Sequence, residues 1–385
     1  MSVDDADSTL GTTSKRLTDP RIVDCAKVAG CVPEQKYAVF EISIPVRGTT
    51  LAEKPTTPTA QLDPAVPVDT RHFAAGKHLF TVDVEEYFQV LALSPFAPRE
   101  RWGSFESRVE PAIDRLLDLM ASRGATGTFF VVGWVAERHA AMIKRIAAAG
   151  HELASHTYDH KQVTHQTPDA FRTSLRRTKR VLENLTGTPV LGFRAPSFSI
   201  VRGTEWALDV LIEEGHKYDS SLFPVTRSGY GYAGGQQDPY WIDRASGRIA
   251  EIPPATIRVL GKSFPAAGGA YFRILPPQLV HAALRSATSR GVPATFYIHP
   301  WEWDPGQPML DVPVLTKVRH YSGQSRVFAR IEQLLASFDF TSIASVLSAD
   351  ALDPTPLRRE GERLAVRTVT KPRDSAVRKP LSGVV

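Results

Sequence analysis

A chain of 385 residues, 42% hydrophobic and 23% charged, has material for one large core or two ordinary ones and reads as globular. Its formal charge of +5 is matched by the last 32 residues alone, where eight Lys or Arg from Pro354 onward face three acids. The body is therefore near neutral, and a basic nucleic-acid-binding face is not indicated.

Only Cys25 and Cys31 occur, so the body has no disulfide staples, which fits a reducing compartment. The acidic start Met1-Ser2-Val3-Asp4-Asp5 leads into no apolar run, and no stretch approaches the ~18 apolar residues of a membrane span. The expectation is a soluble, cytoplasmic protein with no membrane span. Oligomeric state is not readable from the sequence.

Residues 1–75 read as a poorly structured extension, with a linker-like run through Thr56-Thr57-Pro58-Thr59, Pro64 and Pro67 and one short strand at Tyr37–Ile42. From His78 the pattern turns regular. Leu79–Val82 reads as a buried strand, and a helix follows from Ser107, with Ser107 and Glu110 as a capping box and Gly124 as its stop. Strand Thr128–Val132, a helix ending at Gly150 and strand Glu152–Ala154 come next. A helix then starts at Thr167, with Pro168 in its first turn, and runs to Gly187. Val190–Phe193 is a strand, Thr204–Glu214 a helix, Lys217–Tyr218 a short strand, and residues 224–248 are irregular. Strand Arg248–Ile252, helix Pro277–Ser289, strand Ala294–Ile298 and helix Arg326–Phe338 complete the domain, placed at 76–350. Residues 351–385 read as a basic, disordered tail.

Repeated strand-helix units favour a parallel sheet, either closed into a distorted (β/α) barrel or doubly wound. The polar residues favour the barrel. Asp83 and Glu85, His156 and His160, Arg194, Asp219 and His299 each fall at or just past the C-terminal end of a strand, and in a barrel those ends share one rim.

His156 and His160 lie four apart and can face one point at metal-ligand distance. A cation there needs a third ligand, and the nearest carboxylates stand in Asp83-Val84-Glu85-Glu86. On a strand Asp83 and Glu85 share a side, so Glu85 is the preferred ligand; if the strand ends at Asp83, Glu86 takes its place.

Thr81-Val82-Asp83-Val84-Glu85, His156-Thr157-Tyr158-Asp159-His160, Arg194-Ala195-Pro196 and Phe296-Tyr297-Ile298-His299 resemble the successive motifs of the polysaccharide deacetylase family (NodB homology, carbohydrate esterase family 4). They arrive in the family's order, and the resemblance covers roughly residues 78–345. Phe80–Phe88, Gly268-Gly269-Ala270-Tyr271-Phe272-Arg273 and His299-Pro300-Trp301-Glu302-Trp303 are similar to the deacetylases associated with exosortase and exopolysaccharide clusters. The resemblance implies a distorted (β/α) barrel, a divalent metal, most often zinc, and hydrolysis of an N-acetyl group from a saccharide. It assigns Glu85, His156 and His160 to the metal, Asp83 as general base, Arg194 as its orienting cation and His299 as general acid. Its commonest first motif has two adjacent aspartates and Gly, which Asp83, Glu85 and Glu86 replace here.

Asp219 reads either as an orienting carboxylate of the site or as a turn residue, and His165 as a solvated loop histidine. Trp301 and Trp303 can stack on sugar rings beside His299 or simply be buried. The rival readings are a small cyclic-amide hydrolase of the allantoinase-like branch on the same fold, and a saccharide-binding or scaffold protein without turnover.

Overall fold

Parallel strands alternate with helices through most of the chain, because short aromatic and β-branched runs are followed by amphipathic segments that cover them. The computed structural model describes residues 66–67, 76–226, 230–259, 262–266 and 268–347. The short strand expected at Tyr37–Ile42, the rest of the extension apart from Val66–Pro67, and the tail lie outside these residues.

In chain order the described elements begin β1 (Val66–Pro67), β2 (His78–Val84), α1 (Val109–Ser122), β3 (Thr128–Val131), α2 (Gly133–Arg138), α3 (Ala140–Ala148) and β4 (Glu152–Ser155). They continue through α4 (Pro168–Thr186), β5 (Gly192–Phe193), α5 (Trp206–Glu213), β6 (Tyr218–Asp219), β7 (Tyr240–Arg244) and β8 (Gly247–Glu251). The last are β9 (Thr256–Val259), β10 (Lys262–Pro265), α6 (Gly269–Ile274), α7 (Gln278–Ser289), β11 (Thr295–Ile298), α8 (Val314–Tyr321), α9 (Gln324–Ser337) and β12 (Phe340–Thr341).

The main sheet runs β1-β7-β8-β6-β5-β4-β3-β2-β11, with β12 also on β2. From β8 through β6, β5, β4, β3 and β2 to β11 every pair is parallel. Beyond β8 the chain bridges back to β11: Pro254 pairs with Thr295, and Ala255 N donates to Thr295 O at 3.0 Å. The parallel strands thus close into the distorted (β/α) barrel that the strand-helix alternation favours.

Alternation along β2 sorts its side chains into two layers. Phe80, Val82 and Val84 face outward into the core shared with Ile113, Leu116 and Met120 of α1, Val327 and Leu334 of α9, and Phe296 and Ile298 of β11. Leu79 faces the other way, clustered with Phe130, Ala154, Tyr218, Ala250 and Ile252, and Ile343, Val346 and Leu347 plug that end. Above this apolar floor the same face of β2 carries Thr81 and Asp83, so the barrel becomes polar toward its C-terminal rim.

α4 follows its sequence signals closely. Thr167 Oγ1 accepts from Ala170 N at 3.3 Å, Pro168 opens the helix, and Gly187 ends it at φ +68°. Elsewhere tertiary contacts override local signals. The Ser107–Glu110 capping box does not form: Ser107 Oγ donates to Glu86, and Glu110 pairs with Arg145 and His139. Glu86 itself accepts from Arg108 N at 3.0 Å and caps α1 from outside the helix. The helix expected to end at Gly150 is two, broken at His139, whose φ of −119° and ψ of 45° leave the helical region. The stretch 224–248 contains β7, which hairpins onto β8, and the hairpin β9-β10 and helices α6 and α8 were not expected.

Candidate metal centre and active site

β2 delivers two carboxylates to the rim. Asp83 and Glu85 face the pocket, and Glu86 turns away to the start of α1. Glu85, His156 and His160 offer ligand atoms that all lie within 4.8 Å of one another, and all three residues are buried. Glu85 Oε2 lies 2.6 Å from His160 Nε2, and both residues are buried. A carboxylate oxygen and an imidazole nitrogen converging out of water suit ligands of one cation.

The tautomer of His156 fits as well. Its Nδ1 donates to the Arg194 carbonyl at 2.7 Å, which leaves Nε2 with its lone pair for the centre. Burial pushes its pKa down to about 4, keeping the ring neutral. Burial alone would raise the Glu85 carboxyl, but His160, His299 and His156 hold it well below the usual carboxylate range.

The loop bearing both histidines is clamped from three sides. Thr157 and His160 sit at φ +62° and +52°, a left-handed conformation that costs a non-glycine residue roughly 1–2 kcal/mol. The first two N–H groups of α2, from Gly133 and Trp134, donate to the carbonyls of Thr157 and Tyr158 at 2.9 and 2.8 Å. Ser174 of α4 accepts from Tyr158 N at 2.8 Å, and Arg99 donates to the carbonyls of Asp159 and His160 at 2.8 and 3.3 Å.

Arg194 is fully buried and stands over the Phe130 ring at 4.1 Å. It donates through Nη1 to Asp83 Oδ1 at 2.7 Å and Thr81 Oγ1 at 2.8 Å, and through Nη2 to Ser220 Oγ at 2.8 Å. Asp83 is thereby fixed with its other oxygen, Oδ2, 3.7 Å from His299 Nε2. His299 closes the far side, its Nε2 also 3.6 Å from Glu85 Oε1 and its Nδ1 bonded to Glu302 Oε1 at 2.6 Å. Burial opposes charge on this ring, but Glu85, Glu302 and Asp83 outweigh it and raise its pKa to about 9. Trp301 stacks on His299 at 5.2 Å and donates to Glu85 Oε1 at 2.9 Å.

Asp219 stays in the floor. Its Oδ1 accepts from Ser221 Oγ at 2.5 Å, and Ser221 Oγ accepts from Ala195 N at 2.8 Å, so it steadies the backbone beside Arg194 without reaching the three ligands. Burial pushes its carboxyl up to about 6, and burial beside Asp219 drives Glu251 well above the carboxylate range. His165 is exposed, and Trp303 is buried with Nε1 on Ala112 O at 3.1 Å. Sequence reasoning placed Arg273 and Glu302 in quoted motifs but gave neither a role; the one local signal for Glu302 is that it stands three positions after His299.

A cavity of about 350 Å³ adjoins His160, lined among others by Phe88, Trp102, Arg99, Lys161 and Gln162. That volume lies within the ~300–1,000 Å³ common for ligand pockets.

Residues 99–211 match the polysaccharide deacetylase family model, and residues 220–348 match a domain of unknown function, DUF3473. A Bacillus cereus peptidoglycan-N-acetylglucosamine deacetylase is 30% identical over 96 residues, 25% of this chain and 35% of that protein. A Helicobacter pylori peptidoglycan deacetylase is 31% identical over 113 residues, 29% of this chain and 38% of that protein. The chain thus spans little more than a third of either relative. In fold, it is similar to a Mycobacterium smegmatis crystal structure described as a candidate polysaccharide deacetylase, with a TM-score of 0.51 and 22% identity over 78% of this chain and 99% of that one. Residues 99–211 are thus similar in sequence to polysaccharide deacetylases, and the barrel as a whole shares its fold with a structure so described.

Proposed function

We propose that the protein is a metal-dependent hydrolase that removes N-acetyl groups from a saccharide, an exopolysaccharide or its precursor. The observation that carries this reading is the buried Asp83–Arg194 pair set beside Glu85, His156 and His160, with His299 facing it across the pocket. The similarity to peptidoglycan deacetylases supports the N-acetyl sugar as substrate class.

Glu85, His156 and His160 would hold a divalent cation, most simply zinc given two imidazoles and one carboxylate, and it would supply Lewis acidity at the acetyl carbonyl. Asp83, oriented by Arg194, takes a proton from the attacking water. His299 gives its Nε2 proton to the departing nitrogen as the C–N bond breaks, because an unprotonated amide nitrogen is a poor leaving group. Acetate and a free amine result. The proton on Asp83 then returns to His299, and both groups are reset.

The test is acetate release from N-acetylglucosamine oligomers by metal-replete protein. Wild type is expected to release acetate, Asp83→Asn to retain metal but lose about 100-fold or more in rate, and His156→Ala to lose both. Stoichiometric metal binding without acetate release would leave the centre standing and overturn the substrate.

A further inference from the structure

His299, Glu302 and Arg273 all lie in the region matched to the domain of unknown function. We propose that this region is no separate domain but the half of the barrel that supplies and holds His299, with Glu302 and Arg273 as its positioning pair. The inference rests on the deacetylase reading only for the step that His299 performs.

Four of the region's strands belong to the common sheet: β7 pairs with β8, β8 with β6, β12 with β2, and β11 with β2 alongside Phe80 and Val82. Just past β11, Glu302 has no exposed surface. Its Oε1 accepts from His299 Nδ1 at 2.6 Å and from the His299 backbone at 3.3 Å, and its Oε2 accepts from Arg273 Nε at 2.9 Å. Arg273 cannot swing away, since it also donates to the carbonyls of His320 at 2.6 Å, Ser322 at 3.1 Å and Arg319 at 3.3 Å. A carboxylate paired with a guanidinium can only accept, so Nδ1 carries a proton and Nε2 is the nitrogen turned to Asp83 and Glu85. The ring plane is set independently by Trp301, which is backed by His320 at 4.6 Å and 20°.

Stability is a poor explanation for this arrangement, because buried ion pairs rarely repay their desolvation against an apolar replacement. Its geometry instead fixes one nitrogen of one imidazole at the mouth of the site.

The experiment uses the full chain and compares wild type with Glu302→Gln and Arg273→Lys. Imidazole NMR of wild type is expected to show an exchange-protected, downfield Nδ1 proton that His299→Gln assigns and Glu302→Gln removes. Persistence of that signal unchanged in Glu302→Gln overturns the proposal. In acetate release, Glu302→Gln is expected to lower kcat about 100-fold with KM within about twofold and metal stoichiometry intact. An unchanged kcat likewise overturns it. If Glu302→Gln does not fold, Arg273→Lys is read by the same criteria. A wild type that releases no acetate, yet shows the proton that Glu302→Gln removes, sinks the deacetylase reading and leaves the positioning pair standing.

Discussion

A guanidinium with no exposed surface must satisfy all its donors inside the protein, and Arg194 does so on Asp83, Thr81 and Ser220. Replacing it with Met leaves the buried Asp83 carboxylate without its counter-charge. Arg194→Met is therefore expected to cost about 3–5 kcal/mol of stability, read by denaturant unfolding at neutral pH. Asp83, His156, His160, Arg194 and His299 were legible in the sequence because each stands at a strand end in a motif of recognisable order. That Glu85 faces His156 and His160 while Glu86 faces α1 was legible from the period of a strand, which puts alternate residues on one face. Glu302 was only half legible, by its place one turn after His299. Arg273 stands in a motif the sequence offered, but its role was not legible, since it holds Glu302 and backbone carbonyls at the end of a helix 46 to 49 positions away.

Among elements, those whose boundaries depend on their own residues were read well, and those whose boundaries depend on neighbours were not. α4 carries its own cap, proline and terminal glycine, so its limits are local. Thr167→Ala is expected to cost about 1 kcal/mol, again by denaturant unfolding. The start of α1 is set instead by Glu86, which reaches in from the end of β2. β7 alternates buried Tyr240 and Ile242 with less buried Trp241 and Asp243, but four residues of alternation are a weak signal without the pairing with β8 that completes it. The loop from His156 to His160 depends on outside support in the same way. Arg99 is 44% exposed and its main task is to hold two of that loop's carbonyls, so Arg99→Ala should fold normally. It is expected to weaken divalent metal binding about 10-fold, measured by calorimetric titration of the full chain.

Across the whole molecule, burial keeps several histidines neutral. It pushes His78 and His151 down to about 4, and His216 and His320 to about 3. In the unfolded chain each titrates near the ordinary value of ~6.5. Below that pH the unfolded state binds protons that the folded state refuses, so stability falls as the pH drops from about 6.5 and levels off only as the folded groups titrate. Between pH 6.5 and 5 a single such histidine contributes up to about 2 kcal/mol of this loss. His216→Leu is expected to reduce the difference in unfolding free energy between pH 7 and pH 5 by about that amount, measured by denaturant unfolding at the two pH values.

The bridge from Pro254 to Thr295 and the pairing of β11 with β2 join parts of the chain far apart in sequence: Thr81 Oγ1 bonds the carbonyl of Phe296, 215 positions on. Glu85, His156, His160 and Arg194 all precede this closure along the chain, and only His299 arrives with it. On the proposed reading, a growing polypeptide has every candidate ligand out of the ribosome well before its candidate proton donor has been made. That reading separates metal capture from catalysis in time, with the long-range contacts that fold slowest standing between them.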